Sequence, residues 1–455
     1  MNEIALEKVP EVAIDLLEQG SVPRAGRRSF MLDAIRFSTA ALETYAFADW
    51  EPIIYDAMIV AAAVEYADRT VRRPARGWRR RFEIGIPVHD PARWEAAETK
   101  TALLDALGFL TGDDWSFAFT SRSETLSPPR FAQLPLAPET QAVIAYSDGL
   151  DSRAVAGLLR HDLGDRLVKV RLGTATPRRR RGRAQPVPFA GVPYRLCIVR
   201  QNKESSARNR GFKFASIAGI AAYLARASEI IIPESGQGAF GPALIGVAHA
   251  YPDYRNHPLF TRKMERYFRA LLGRDIRFRF PRLWNTKGQT LGAYIASVEA
   301  APWADTRSCW RGSRWVSVEG VWRQCGVCAA CMLRRMSIHA AGLEEAPDTY
   351  AATDLSASSL DRAVDPAFRK ASRAFAEYAH AGFLHLDHLA DMAEATARPE
   401  TSVHATQLAW ALRLPATEAE RRLGALLEQH KAEWEAYMDS LGAHSFLAVR
   451  RRSAR

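Results

Sequence analysis

Four of the chain's five cysteines stand between positions 309 and 331: Cys309, Cys325, Cys328 and Cys331. A Cys-x2-Cys-x2-Cys run with a fourth sulfur upstream can set four thiolates tetrahedrally around one Zn2+. Zinc suits such ligands because it is borderline-soft and imposes no geometry of its own. The rival readings are an iron–sulfur cluster and reduced core cysteines. The spacing favours zinc in a structural role, since four sulfurs leave no position open for a reactive water. Cys197, in the run Tyr194–Val199, stands apart and reads as a small buried strand residue.

The second chemical cluster is Ser147, Asp148, Gly149, Leu150, Asp151 and Ser152, which follows the apolar run Gln141–Tyr146 and precedes a helix-forming stretch. Strand, glycine-bearing turn and helix is the arrangement that directs backbone N–H groups and a positive helix end at phosphate. Gly149 permits close backbone approach, the two serines offer hydroxyl donors, and Asp151 either caps the helix or reaches a Mg2+-bound water. No Gly-Lys-Ser/Thr follows, so this is not a Walker A loop. A capped strand–helix turn without a ligand is the plainer reading.

Taken together, these motifs resemble the N-type ATP pyrophosphatases, whose PP-loop is Ser-Gly-Gly-x-Asp-Ser, and within them the 7-cyano-7-deazaguanine synthase (QueC) branch. Thr286-Lys287 resembles that branch's Thr-Lys element. Thr306-Arg-Ser-Cys309-Trp310 resembles its Thr-x-Ser-Cys-aromatic element. Cys325–Arg334 and Ala341–Tyr350 resemble the zinc knuckle and the tail that follows it. Tyr251-Pro-Asp-Tyr-Arg255 resembles the element near its deazaguanine site. The resemblance spans about 138–350 and implies ATP, Mg2+ and Zn2+ as cofactors, with Asp151 and Lys287 at the reacting phosphates. It also implies Tyr251, Asp253 and Arg255 as substrate contacts, although an ordinary proline-containing turn accounts for that segment too. Two departures stand out. Asp148 replaces the first loop glycine, placing a carboxylate near the expected pyrophosphate, and Tyr254 replaces a cysteine. The segment between Pro233-Glu-Ser-Gly236 and Tyr251 is longer than in the biosynthetic enzymes, and the Pro-Glu-Ser-Gly…His257-Pro258 pattern is similar to the larger QatC-like proteins of anti-phage defence operons.

What the resemblance implies is ATP-dependent adenylation of an acid such as 7-carboxy-7-deazaguanine, with transfer to ammonia or a protein amine. Nitrile synthesis in deazapurine biosynthesis, or a degenerate nucleotide-binding scaffold, are the alternatives.

The elements that must position these groups follow from pattern. Between 138 and about 232, strands at Gln141–Tyr146, Leu167–Leu172, Tyr194–Val199 and Glu229–Pro233 alternate with helices at Ser152–Leu159 and Phe212–Arg226. That alternation predicts an α/β fold, a parallel-sheet PP-loop (HUP-like) core, with ligand at the carboxyl ends of the strands near Ser147 and Glu234. Residues 1–137 read as an α+β extension: a helix from Trp50 to Arg69, alternating strands at Arg81–Pro87 and Trp115–Phe119, and a helix at Pro91–Leu110. A Ser127–Pro138 linker joins it to the core. Residues 351–455, with Leu408, Leu412, Leu414, Leu423, Leu426 and Leu427 at helical spacing, read as a helical appendage. The expected domains are therefore 1–137, 138–350 and 351–455.

At 455 residues and 47% hydrophobic, the chain is long enough for more than one core. No secretory leader is read in Met1–Val9, no apolar run is long enough to span a membrane, and the cysteines suit the cytoplasm. A net charge of +11 is concentrated in arginine runs such as Arg178–Arg181. Without interleaved aromatics these read as solvated loops rather than a nucleic-acid surface. An N-terminal extension of this size instead suggests a protein partner, with Trp78-Arg79-Arg80-Arg81 as an exposed contact.

Overall fold

The computed structural model describes residues 9–37, 51–123, 140–147, 149–171, 194–197, 204–247, 250–299, 301–311, 316–394 and 397–454. Asp148, the 127–138 linker and the 178–183 arginine run lie outside the described residues. The chain divides into two compact units. One comprises Met1–Ser147, Asp162–Ile232 and Asp253–Phe280; the other comprises Asp148–His161, Pro233–Pro252 and Pro281–Arg455. Each unit draws on more than one of the three segments expected from the sequence.

The first unit holds two four-stranded sheets, both entirely parallel. In one, the order is Arg277–Arg279, Glu229–Ile231, Ala142–Tyr146, Leu167–Arg171. Ala142, Val143 and Ile144 are fully buried, as befits a central parallel strand covered on both faces. The chain reverses its direction of travel across the sheet at this strand, so the switch point lies between Ala142–Tyr146 and Glu229–Ile231. The strand Tyr194–Leu196 does not join this sheet as its pattern suggested. It pairs antiparallel with Ile35–Phe37.

The N-terminal region has the expected helices and strands, but its strands form a second parallel sheet: Arg28–Met31, Glu11–Leu17, Arg81–Val88, Asp114–Ser121. This part is therefore itself of α/β type, with the same strand order as its neighbour. Its central helix, Pro52–Thr70, is buried almost all round, which explains the lack of a polar stripe in its sequence. The carboxylates it takes inside are satisfied. Asp68 accepts from Arg80 and from the backbone N–H groups of Arg208 (2.7 Å) and Asn209 (2.6 Å). The expected Trp78–Arg81 contact surface is corrected here. Arg80 is fully buried between Asp68 and Asp113. The Trp78 ring lies 3.6 Å beneath the Arg73 guanidinium and donates its indole N–H to the Thr111 carbonyl at 2.7 Å. Trp78 is half-buried, and Arg79 and Arg81 are exposed, each paired with an acid.

The second unit is mainly helical. Helices Leu150–Leu163, Gly236–Leu244, Lys287–Ser297 and Ala329–Ala340 contribute to it, together with Arg373–Asp391, Arg398–Leu412, Ala416–Leu441 and Phe446–Ala454. The expected C-terminal helices pack into the core of this unit. Phe375, Phe383, Trp434, Tyr437 and Met438 share one core with Cys325, Cys328, Cys331, Met332 and Met336. Gly382 marks a close approach, since a Cβ there would lie 2.7 Å from the Ala329 amide nitrogen. Among the described residues no helix is long and apolar enough to cross a membrane.

Candidate functional site

The four cysteine sulfurs lie within 4.8 Å of one another. Cys325 and Cys331 Sγ are 3.7 Å apart. Tetrahedral zinc with Zn–S bonds of about 2.3 Å requires about 3.8 Å between ligand sulfurs, whereas a disulfide requires about 2.05 Å. The separation fits a metal cage. Backbone donors orient the ligands: Cys325 N–H points at Cys309 Sγ and Cys328 N–H at Cys325 Sγ, both at 3.3 Å. Gly326, at φ +84°, makes the knuckle turn possible, and a Cβ there would also lie 2.7 Å from the Ala352 carbonyl oxygen. Hydrogen bonds from the neighbouring thiols, Cys325 first, pull Cys309 toward thiolate, while burial pushes the Cys331 thiol up. Four converging sulfurs of this kind ask for a cation to settle their charge.

A ring of polar contacts holds the cage. Gln324 Oε1 accepts from the backbone N–H of Ser308 (2.7 Å) and Cys309 (3.2 Å), fixing the upstream ligand beside the knuckle. Arg334, fully buried, donates to Glu345 (2.6 Å) and to Thr306, and Tyr350 donates its hydroxyl to the same glutamate. The Ala341–Tyr350 tail is thereby tied to helix Ala329–Ala340.

In the loop region the chain leaves strand Ala142–Tyr146 at Ser147 and enters helix Leu150–Leu163. Ser152 donates its hydroxyl to the Gly149 carbonyl at 3.1 Å, closing the first turn. Asp151 ion-pairs with Lys287, which lies 136 residues further along the chain. The Asp151 Oδ1 atom is buried and has no hydrogen-bond partner among the described residues. An orphaned carboxylate oxygen next to a buried ammonium suits a site that receives a magnesium-bound polyphosphate.

Lys287 opens helix Lys287–Ser297. Thr286 caps that helix through a reciprocal box: its hydroxyl accepts from Gln289 N–H, and Gln289 Oε1 accepts from Thr286 N–H, both at 3.0 Å. The helices bearing Asp151 and Lys287 meet at Gly157, where an added Cβ would sit 2.2 Å from the Tyr294 ring. Leu150, Ala154, Leu291, Tyr294 and Ile338 form their shared apolar cluster.

Within Tyr251-Pro-Asp-Tyr-Arg255, the acid and the arginine pair with each other. Asp253 is buried, and its carboxylate accepts from Arg255 Nε (2.9 Å) and from Arg255 N–H (3.2 Å). Burial works to raise its pKa, but the charge of Arg255 and then of Arg208 overcomes this and holds it at about 2. Arg255 remains part-exposed. Tyr254, which stands where the resembling element has cysteine, packs on Phe109 with ring centroids 4.3 Å apart.

Sequence reasoning missed Gln237, His430 and Glu433. Gln237 Oε1 accepts from Lys287 N–H at 2.7 Å, the Gln237 amide meets His430 Nδ1 at 2.8 Å, and Glu433 accepts from the Thr286 hydroxyl. The available signal was a histidine and a glutamate on the leucine-rich face of the 423–438 stretch.

No curated protein and no solved structure matches this chain. Residues 205–342 match the family model described as queuosine biosynthesis protein QueC. This segment is about three tenths of the chain; it contains Lys287 and all four clustered cysteines and begins downstream of the Ser147–Ser152 loop. The match supports a QueC-like, PP-loop, ATP-utilising enzyme related to 7-cyano-7-deazaguanine synthase.

Proposed function

We propose that this protein adenylates a carboxylic acid with ATP and passes the acyl group to an amine. The observation that carries the reading is the Asp151–Lys287 pair at the starts of two helices that pack together, the first of which follows closely in sequence on a parallel strand. In this reading the loop N–H groups and the Lys287 ammonium bind the β- and γ-phosphates. A carboxylate oxygen of the substrate attacks the α-phosphorus, the bond to the bridging oxygen breaks, and pyrophosphate departs with that oxygen and its electrons. An amine nitrogen then attacks the acyl carbon, the acyl C–O bond to the phosphate breaks, and AMP leaves carrying the former carboxylate oxygen while the nitrogen gives up a proton to solvent. Mg2+ fits beside Asp151 through its unpaired Oδ1, where it would offset phosphate charge. The zinc cage takes no part in bond making, because four sulfurs leave no open coordination position.

The acid in this reading is 7-carboxy-7-deazaguanine or a close relative, on the strength of the family match. Asp253 and Arg255 are its proposed contacts, with the part-exposed guanidinium facing the substrate carboxylate. The acceptor is ammonia or an amine of a protein partner, the second option fitting a component of an anti-phage defence system. The test incubates the protein with ATP, Mg2+ and 7-carboxy-7-deazaguanine, with and without ammonium, and measures AMP. Acid-dependent AMP that is lost in Asp151→Asn supports the reading; ATP left intact with every acid tried removes it.

A further inference from the structure

We infer that the C-terminal helix Ala416–Leu441 is a working part of the nucleotide site, and that His430 and Glu433 are positioning residues that set Lys287. The inference rests on the proposed ATP chemistry and assigns a role within it to residues far outside the matched family segment.

The geometry is a relay with a defined sense at each link. The backbone N–H of Lys287 is one of the donors at a helix start that have no partner inside the helix. It donates to Gln237 Oε1 at 2.7 Å. For that oxygen to face Lys287, the Gln237 amide nitrogen must face elsewhere, and it donates to His430 Nδ1 at 2.8 Å. His430 can accept there only as the neutral tautomer protonated on Nε2, and the Leu386 carbonyl selects this tautomer by accepting from Nε2 at 2.9 Å. Gln237 and His430 are buried, so no water can replace a missing partner cheaply.

A second contact grips the preceding residue. Thr286, the cap of the Lys287 helix, donates its hydroxyl to Glu433 Oε1, which also accepts from Gln429 at 3.0 Å. Gly288 leaves room for this carboxyl group, since a Cβ there would lie 3.0 Å from Glu433 Oε2. Leu426, His430 and Glu433 are four and three residues apart and share one helix face. Leu426 reaches the start of helix Gly236–Leu244, where a Cβ on Gly236 would meet it at 2.2 Å. One face of one helix thus touches both segments that bracket the lysine. A core that needed only apolar contact would place leucine or methionine at 430 and 433.

The test is a double-mutant cycle read by calorimetric titration with α,β-methylene-ATP and Mg2+, on the full chain, with zinc content and circular dichroism as controls for folding. His430→Leu should weaken binding about tenfold in the wild-type background and by less than twofold when Lys287 is already Gln, because its effect runs through the lysine. His430→Gln, which can donate to Leu386 and accept from Gln237, should restore most of the affinity. Equal losses in both lysine backgrounds, or no rescue by glutamine, overturn the inference and leave the proposed function standing. Wild-type protein that binds no analogue removes both together.

Discussion

Adding one carbon at Gly157 should separate the two helices that carry the proposed catalytic pair. An ideal Cβ at this position lies 2.2, 2.9 and 3.3 Å from three atoms of the Tyr294 ring. Real Cβ atoms do not approach so closely, and the ring is 3% exposed within a filled cluster, so something must move. Gly292, in the second of these helices, has nothing within 4 Å of its ideal Cβ. Glycine to alanine gains about 1 kcal/mol of helix propensity at either interior position, while overpacking a core costs about 1–3 kcal/mol. The propensity gain cancels between the two variants, so their difference isolates the steric cost. Gly292→Ala should be more stable than wild type by up to about 1 kcal/mol, with Gly157→Ala lying about 1–3 kcal/mol below Gly292→Ala. Urea denaturation followed by tryptophan fluorescence reads both, and nucleotide titration should show weaker binding for Gly157→Ala alone. Equal stability of the two variants would refute the close approach of helices Leu150–Leu163 and Lys287–Ser297.

Three further outcomes follow from particular groups. The purified protein should hold about one zinc per chain, and Cys331→Ser should lose the metal and destabilise the unit; stoichiometric iron by atomic emission, or an equally stable metal-free protein, would contradict the cage. His430 is held neutral by burial, its pKa lowered from 6.5 to about 4. The unfolded chain therefore binds the extra proton first, and stability should fall as pH drops from about 6.5 toward 4, by on the order of 3 kcal/mol. Burial raises Glu433 in the opposite sense, so the informative quantity is the difference in slope between wild type and His430→Gln; identical slopes would count against a neutral buried histidine. Finally, Arg334→Met should cost about 3–5 kcal/mol by leaving Glu345 without its buried partner, and a loss below 1 kcal/mol in denaturant titration would show that the tail is held some other way.

The four-cysteine cluster and the strand–turn–helix were legible because each is local. Three of the four cysteines lie within seven residues, and Ala142–Ser152 carries its strand, turn and helix signals in one stretch. The helix proved longer than its pattern suggested, running Leu150–Leu163 and ending at Gly164, whose φ is +51°. Lys287 was legible only through resemblance, since nothing in Asn285-Thr-Lys-Gly distinguishes it from a surface lysine. The partnership of Lys287 with Gln237 and His430 was out of reach, because it joins positions 50 and 193 residues apart. The helix carrying His430 was read by its leucines, which report burial and not what is buried beside them. The parallel pairing in the N-terminal region was likewise out of reach. Glu11–Leu17 pairs with strands beginning at Arg28 and Arg81, and parallel pairing leaves no hairpin turn for a sequence to display.

The central claim, that an acid is activated at the α-phosphate of ATP, is tested most directly by exchange of labelled pyrophosphate into ATP. With 7-carboxy-7-deazaguanine and Mg2+ but no amine, reversal of the adenylation should carry label into ATP in an acid-dependent manner, and Lys287→Gln should reduce the rate at least a hundredfold, on the order of what one transition-state charge contact supplies. Consumption of ATP to ADP and phosphate, with no label entering ATP for any acid tried, would contradict it.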